Sequence, residues 1–161
     1  MKRQLLTLLI VMLSAIQTFA DGRFCIVKDG RAAQIVVSDN DWKGVIRAAN
    51  DLGDDIRKVS GVASKVINNY DLSDGNAPVI IAGTIGKSTV IDRLVKQKKI
   101  DVSKVRGQWE SYLIDIVDGN LVIAGSDKRG TIYGIYEISQ RIGVSPWYWW
   151  ADVPVKHCDE V

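Results

Sequence analysis

Apolar residues recur every three or four positions in three segments of this chain, which cover residues 40–60, 88–98 and 128–142. That spacing places the apolar side chains on one face of a helix. Gly61 and Gly143 follow the first and third segments, and glycine commonly ends a helix because it adopts the left-handed conformation without strain. We therefore predict three helices over these segments.

Short apolar runs bounded by turn residues predict strands between the helices. Asp29-Gly30 predicts a turn that joins the first two strands, and Asp118-Gly119-Asn120 predicts an antiparallel hairpin further on. Because strands and helices are interleaved, we predict an α/β or α+β fold with a mixed sheet. The predicted strands cover residues 24–28, 33–37, 64–68, 78–82, 109–117 and 121–124.

Two corners between a strand and a helix have similar sequences, in residues 79–88 and 121–130. The first corner contains Gly86-Lys87-Ser88, at the place where a phosphate-binding loop would lie. That motif also requires a glycine five positions before Gly86, and the residue there is Ile81. The sequence therefore argues against nucleotide binding and predicts a turn glycine followed by a serine that caps the helix.

The second corner carries candidate anion-binding residues. Asp127 is placed to cap the helix, and Lys128 and Arg129 follow it. A helix N-terminus offers free backbone N–H groups and a partial positive charge, both of which favour an anion such as a carboxylate. The alternative is a structural cap followed by two solvated basic residues.

Residues 146–150 form an aromatic run, Pro-Trp-Tyr-Trp-Trp, which holds three of the five tryptophans. Aromatic rings stack on sugars, and they also fill interfaces between domains. The run is thus either a sugar platform, with Trp149 as its candidate residue, or an apolar seam against another domain. We favour the seam, because so apolar a stretch at the end of a small domain needs a cover.

The first 20 residues are typical of a cleavable secretory signal. Lys2 and Arg3 precede an apolar run over residues 5–16, and Thr18-Phe19-Ala20 places small residues where a signal peptidase cleaves. The run is shorter than the roughly 20 apolar residues of a spanning helix, so an uncleaved anchor is the less favoured alternative. We expect export to the periplasm or the exterior, with no membrane contact after cleavage.

Charge and cysteine content exclude several classes of partner and cofactor. The signal holds two of the 21 basic residues, so the mature chain has as many basic as acidic residues, 19 of each, and nothing indicates nucleic acid as a partner. An oxidising compartment permits a disulfide between Cys25 and Cys158; the favoured alternative is a buried Cys25 on a strand and an unpaired Cys158. His157 is the only histidine, so we expect no metal site and no cofactor.

The candidate carboxylates form no recognisable catalytic pair, and no serine or cysteine has a plausible histidine base. We therefore expect no catalytic residue in this chain. The acidic residues considered are Asp54, Asp55, Glu110, Asp115 and Glu137.

Residues 124–155, in which the aromatic run follows a glycine-rich helix, closely resemble the N-terminal domain of glycoside hydrolase family 115. Residues 40–52 also fit that domain, and the likeness covers nearly all of the chain after the signal. A looser version of the same helix start precedes the barrels of hexosaminidases and other α-glucuronidases. The resemblance implies the fold of the domain that precedes the catalytic barrel in those enzymes.

Family 115 enzymes are xylan α-1,2-glucuronidases, in which a (β/α)₈ barrel follows this domain and carries the catalytic acids. The resemblance implies an N-terminal α/β domain in residues 21–145 and an aromatic linker in residues 146–161 that leads toward a barrel. The expected function is a non-catalytic part of an exported enzyme that removes glucuronic acid or its 4-O-methyl ether from xylan. Its partners would be the barrel and glucuronoxylan, with Lys128 and Arg129 near the uronate.

Two alternatives remain open: a free-standing carbohydrate-binding module, and the N-terminal domain of another glycosidase family. As a module, the chain should be retained on insoluble xylan, and Trp149→Ala should abolish the retention. As a seam, the aromatic run should leave isolated residues 21–161 prone to aggregate and to bind hydrophobic dyes.

Overall fold

The computed structural model describes residues 23–68, 70, 77–148 and 151–161, so the predicted signal lies outside the described residues. All three predicted helices are confirmed: α1 is Lys43–Ser60, α2 is Thr89–Lys96 and α3 is Lys128–Arg141. Gly61 ends α1 in the left-handed conformation, with a φ of 75°. In the part of the chain that the structure describes, no helix has the length and apolar character needed to cross a membrane.

Five of the seven strands in the described ranges form one mixed sheet, in the order β4-β3-β5-β7-β6. Neighbouring strands are parallel from β4 to β7, and β6 runs antiparallel to β7. The predicted hairpin around Gly119 is therefore confirmed, and so is the mixed sheet. The strands are β1 Val27–Lys28, β2 Arg31–Ala32, β3 Gln34–Val37, β4 Val66–Ile67, β5 Val79–Thr84, β6 Tyr112–Val117 and β7 Asn120–Gly125.

The turn predicted at Asp29-Gly30 is present, but the strand that pairs across it is Arg31–Ala32 and not residues 33–37. The turn at Asp29-Gly30 joins β1 only to β2, and β3 leaves the hairpin to lie between β4 and β5. Three successive residues of β3 are buried, so this strand has apolar side chains on both of its faces. A two-stranded hairpin cannot cover both faces, whereas a central parallel strand has helices on each side.

Helices cover both faces of the sheet. The helices α1 and α3 pack on one face, against alternate strand residues such as Ile35, Ile80 and Ile123. The helix α2 packs on the other face, against their neighbours, which include Val36 and Ile81. Side chains alternate between the faces of a strand, so β5, buried at all six positions, contributes to both cores.

Glycines bring α3 into direct contact with the sheet. The one-turn spacing of Gly130 and Gly134 predicts a close approach, because neither residue has a side chain. A Cβ atom on Gly130 would collide with the backbone oxygen of Ser111, next to β6. One on Gly134 would lie 2.7 Å from Cγ2 of Ile123 on β7. The expected close packing of this helix is confirmed.

The last residues of the chain return to the domain. The backbone N–H of Val161 donates to the carbonyl of Val27, and that of Cys158 donates to the carbonyl of Val59 at 2.9 Å. Cys25 and Cys158 are both exposed, and the structure has no disulfide between them. The predicted burial of Cys25 on a strand is wrong, because this residue precedes β1. The predicted domain boundary at residue 145 stays a prediction.

Two buried helical serines differ in how their hydroxyl groups are satisfied. Ser60 donates to the carbonyl of Ile56 at 2.7 Å and accepts from the N–H of Val62 at 3.1 Å. Ser139 is 3% exposed, and its hydroxyl has no hydrogen-bond partner among the described residues. A buried polar group without a partner destabilises the folded state, whereas a satisfied one contributes about 1 kcal/mol.

Ser60→Ala should therefore lower the free energy of unfolding by about 1 kcal/mol, whereas Ser139→Ala should leave it unchanged or raise it by up to about 1 kcal/mol. Urea denaturation of the two matched variants measures the difference. If Ser139→Ala destabilises the domain as much as Ser60→Ala does, the hydroxyl of Ser139 has a partner in solution.

Candidate functional site

The carboxyl ends of β3, β5 and β7 lie at the same edge of the sheet. The helix that follows β3 packs on one face and the helix that follows β5 packs on the other. In open α/β sheets this reversal leaves a crevice, which is the usual place for a ligand. Here the crevice, named the carboxyl-edge crevice, has a volume of about 550 Å³. Its lining includes Trp42, Lys87, Trp109, Glu110, Lys128 and Arg129.

A buried carboxylate connects the elements beneath this crevice. Asp41, 6% exposed, accepts from the N–H of Thr84 at 2.7 Å and from its hydroxyl at 2.8 Å. The same carboxylate accepts from the N–H of Trp42 at 2.7 Å. The hydroxyl of Thr84 also lies within hydrogen-bonding distance of that of Thr131, at 2.8 Å. Asp41 therefore ties the start of α1 to the end of β5, and Thr84 links both to α3.

Asp127 caps α3, as the sequence predicts. One carboxylate oxygen accepts from the N–H of Gly130 at 2.7 Å and the other from the N–H of Glu110 at 3.0 Å. These hydrogen bonds, that to Gly130 first, hold the pKa of Asp127 below its ordinary value of 3.8. Asp127 thus takes backbone donors that an external anion would otherwise use.

A lowered pKa in the folded state means that Asp127 stabilises the fold above pH 3.8, and that this contribution is lost as the pH falls through the folded-state pKa. Asp127→Asn should therefore be less stable than the wild type at pH 6, and the gap should narrow below pH 4. Thermal melts across this range measure the gap, with the exposed Asp39→Asn as the matched control. A gap independent of pH would contradict the role of the ionised cap.

The two candidate cations, Lys128 and Arg129, differ in their surroundings. Nη1 of Arg129 lies 2.7 Å from a carboxylate oxygen of Glu110, and Nη2 donates to the hydroxyl of Tyr133 at 3.1 Å. The hydrogen bond to Tyr133, followed by the charge of Glu110, raises the pKa of Arg129. Lys128 is exposed and forms no ion pair with any described residue. Of the two, Lys128 is the cation that can meet a ligand without giving up a partner.

Two tryptophans at the crevice were not predicted as site residues. Trp109 is 86% exposed, and Trp42 is 43% exposed with the ammonium group of Lys87 located 4.2 Å from its ring centroid. Because the two corners have similar sequences, Lys87 could have been predicted to lie beside Lys128 at the same edge of the sheet. No sequence signal connects Trp109 to them. Trp149 lies outside the described residues, so its role stays a prediction, as do those of Lys128 and Arg129.

No protein-family model matches the chain, and no curated protein matches it significantly. Among solved structures, a family 115 4-O-methyl-α-glucuronidase with specificity for decorated arabinogalactans aligns with 86% of this chain, at 33% identity and a TM-score of 0.72. The resemblance to glycoside hydrolase family 115 is confirmed. The family 115 domain seen here spans 17% of the length of that solved chain.

Another solved structure, that of CpGH84D, aligns with 78% of this chain and 21% of its own chain. The identity is 8% and the TM-score is 0.49, values too low to support an inference.

Proposed function

We propose that this chain is the supporting N-terminal part of an exported family 115 glycosidase, which removes glucuronic acid or its 4-O-methyl ether from a polysaccharide such as glucuronoxylan. The observation that carries the proposal is the alignment of most of this chain with a small part of a family 115 enzyme. In this interpretation the catalytic acids lie on a barrel, and the domain described here braces it.

The carboxylates at the carboxyl-edge crevice support a non-catalytic role. Glycoside hydrolysis generally needs two carboxyl groups that face the scissile bond. Glu110 is paired with Arg129, Asp127 accepts from two backbone N–H groups, and Asp41 is buried beneath the crevice. Each of these groups already has a structural partner, so none is available as a general acid or nucleophile.

The test compares the intact protein with residues 21–161 alone. Release of glucuronic acid or its methyl ether is measured from glucuronoxylan and from decorated arabinogalactan, the polysaccharide that the solved relative prefers. The intact protein should act on at least one of them, and residues 21–161 on neither. Activity in residues 21–161 would overturn the supporting role, and an inactive intact protein that is retained on the polysaccharide would favour a binding module.

Within this proposal, the carboxyl-edge crevice borders the pocket for the uronate, and Lys128 and Arg129 help to hold its carboxylate. Arg129→Ala in the intact enzyme should then lower kcat/KM by about tenfold, equivalent to roughly 1.4 kcal/mol of transition-state binding. Glu110→Gln should have the opposite effect, because it frees Arg129 from its ion pair. Unchanged kinetics in both variants, with an altered melting temperature, would show that the ion pair of Arg129 and Glu110 only stabilises the fold.

A further inference from the structure

Trp109 is 86% exposed, more than any other large apolar side chain of the described residues. A single exposed apolar side chain is common on a protein surface and by itself indicates nothing. Trp109 differs because it lines the carboxyl-edge crevice together with a second tryptophan, Trp42. The crevice has the volume of a small-molecule site, and an indole ring offers such a site an apolar surface on which a sugar ring can stack.

The backbone around Trp109 is fixed to the corner that follows β7. The N–H of Glu110 donates to the carboxylate of Asp127 at 3.0 Å, and the hydroxyl of Ser111 donates to the carbonyl of Trp109 at 3.1 Å. The N–H of Ser126 donates to the carbonyl of Ser111 at 2.8 Å. Glu110 has a φ of 54°, an unfavourable conformation for a residue other than glycine, which these hydrogen bonds maintain. A ligand at Trp109 therefore needs little further ordering of this turn.

The ionic groups of the crevice favour an anion over a neutral ligand. Three cations line it, Lys87, Lys128 and Arg129, against the two carboxylates of Glu110 and Asp127. Glu110 pairs with Arg129 at 2.7 Å, and Asp127 accepts from backbone N–H groups. Lys87 and Lys128 are exposed, and neither forms an ion pair with any described residue. Two ammonium groups are thus accessible to a carboxylate that enters the crevice.

The two tryptophans of the crevice have different surroundings. Nζ of Lys87 lies 4.2 Å from the ring centroid of Trp42, so one face of that ring is covered by a cation. Within the described ranges, no cation lies over the ring of Trp109, and most of this side chain is accessible. Trp109 is therefore the aromatic surface that a sugar ring can cover, whereas Trp42 contacts the ammonium group of Lys87.

We propose that the carboxyl-edge crevice binds an acidic saccharide directly, with one sugar ring stacked on Trp109 and the carboxylate of the uronate bound by Lys128 and Lys87. The indole ring selects a saccharide over a simple carboxylate, and the two ammonium groups select a uronate over a neutral sugar. The inference rests on the proposed function for the chemistry of the substrate, and it adds Trp109 and Lys87 as residues that determine specificity.

The experiment titrates the purified chain with two acidic disaccharides, in which glucuronic acid is linked to xylose or to galactose, and with xylobiose and acetate. Binding is measured by calorimetry or ligand-observed NMR. At least one acidic disaccharide should bind, about tenfold or more tightly than xylobiose or acetate. Trp109→Ala should weaken this binding about tenfold, and Trp109→Phe should retain part of it. Lys128→Ala should weaken it about three- to tenfold, and Lys128→Arg should restore it.

Trp147→Ala is the matched control, because Trp147 is 65% exposed and does not line the carboxyl-edge crevice. It should leave the binding of the acidic disaccharide unchanged. Trp109 and Lys128 are both exposed, so their replacement should leave the melting temperature close to that of the wild type. A loss of binding is thereby separated from misfolding.

The inference is overturned if neither acidic disaccharide binds, if xylobiose or acetate binds as tightly, or if Trp109→Ala binds as the wild type does. Binding is measured without hydrolysis, so its outcome is independent of the glycosidase assay. Selective binding that depends on Trp109, together with an inactive intact protein, would contradict the proposed function alone. An active intact protein, together with unchanged binding in Trp109→Ala, would contradict this inference alone.

Discussion

Gly130→Ala should lower the free energy of unfolding of the domain by at least about 2 kcal/mol. Its new Cβ atom would collide with the backbone oxygen of Ser111 and lie 2.9 Å from the backbone nitrogen of the same residue. Backbone atoms next to a paired strand cannot move away as a side chain can, so α3 has to shift from the sheet. Such overpacking costs about 1–3 kcal/mol or more, which outweighs the gain of about 1 kcal/mol from alanine's higher helix propensity.

Gly44→Ala is the matched control, because Gly44 is also helical. Its Cβ atom would lie 3.3 Å from Cδ1 of Ile132, the flexible end of a side chain. We expect a change within about 1 kcal/mol of zero, since the propensity gain offsets a small adjustment. Urea denaturation compares the two variants. If Gly130→Ala is as stable as Gly44→Ala, the contact between α3 and the strand is looser than the structure has it.

Asp41→Ala should lower the free energy of unfolding by about 3 kcal/mol. The change removes an acceptor of three hydrogen bonds and leaves the N–H of Thr84 buried without a partner. Hydrogen bonds to a charged group are worth about 1.5–3 kcal/mol each, and an unpaired buried donor adds its own penalty. The hydroxyl of Thr84 can recover part of the loss, because it can donate to Thr131 instead.

Two further variants test how Asp41 acts. Asp39 is exposed, so Asp39→Ala should change stability by less than about 0.5 kcal/mol. Asp41→Asn keeps the shape but replaces one acceptor oxygen by an N–H₂ donor, which then faces another donor. The free energy of unfolding of Asp41→Asn, measured by chemical denaturation, should lie between those of the wild type and Asp41→Ala. Equal stability of the Asp41→Ala and Asp39→Ala variants would show that the buried network contributes little to the stability of the fold.

The sequence predicts the helices of this fold better than the pairing of its strands. Helical periodicity depends on neighbours three and four positions apart, so the segment that becomes α1 is readable by itself. The turn at Asp29-Gly30 is equally compatible with a short hairpin and with a long one. The choice between them depends on β5, because β3 pairs with that strand in the sheet. The two strands lie more than 40 residues apart in the sequence.

At the candidate site, too, the sequence predicts the local features but not the contacts between distant residues. The caps at Ser88 and Asp127 are predicted correctly, because a cap and its helix are adjacent in sequence. The ion pair between Arg129 and Glu110 and the bonds from Thr84 to Asp41 are not predicted. These partners lie far apart in the chain, and only the sheet order brings them together.

The carboxylate of Asp41 behaves as a ligand that the chain supplies to itself. Since the fold holds this group beside Thr84, its effective concentration there exceeds that of any free acid in solution. A competing carboxylate, including a uronate, is therefore excluded from the floor of the carboxyl-edge crevice. Only the outer rim, where Lys128 and Arg129 are exposed, remains open to such a competitor.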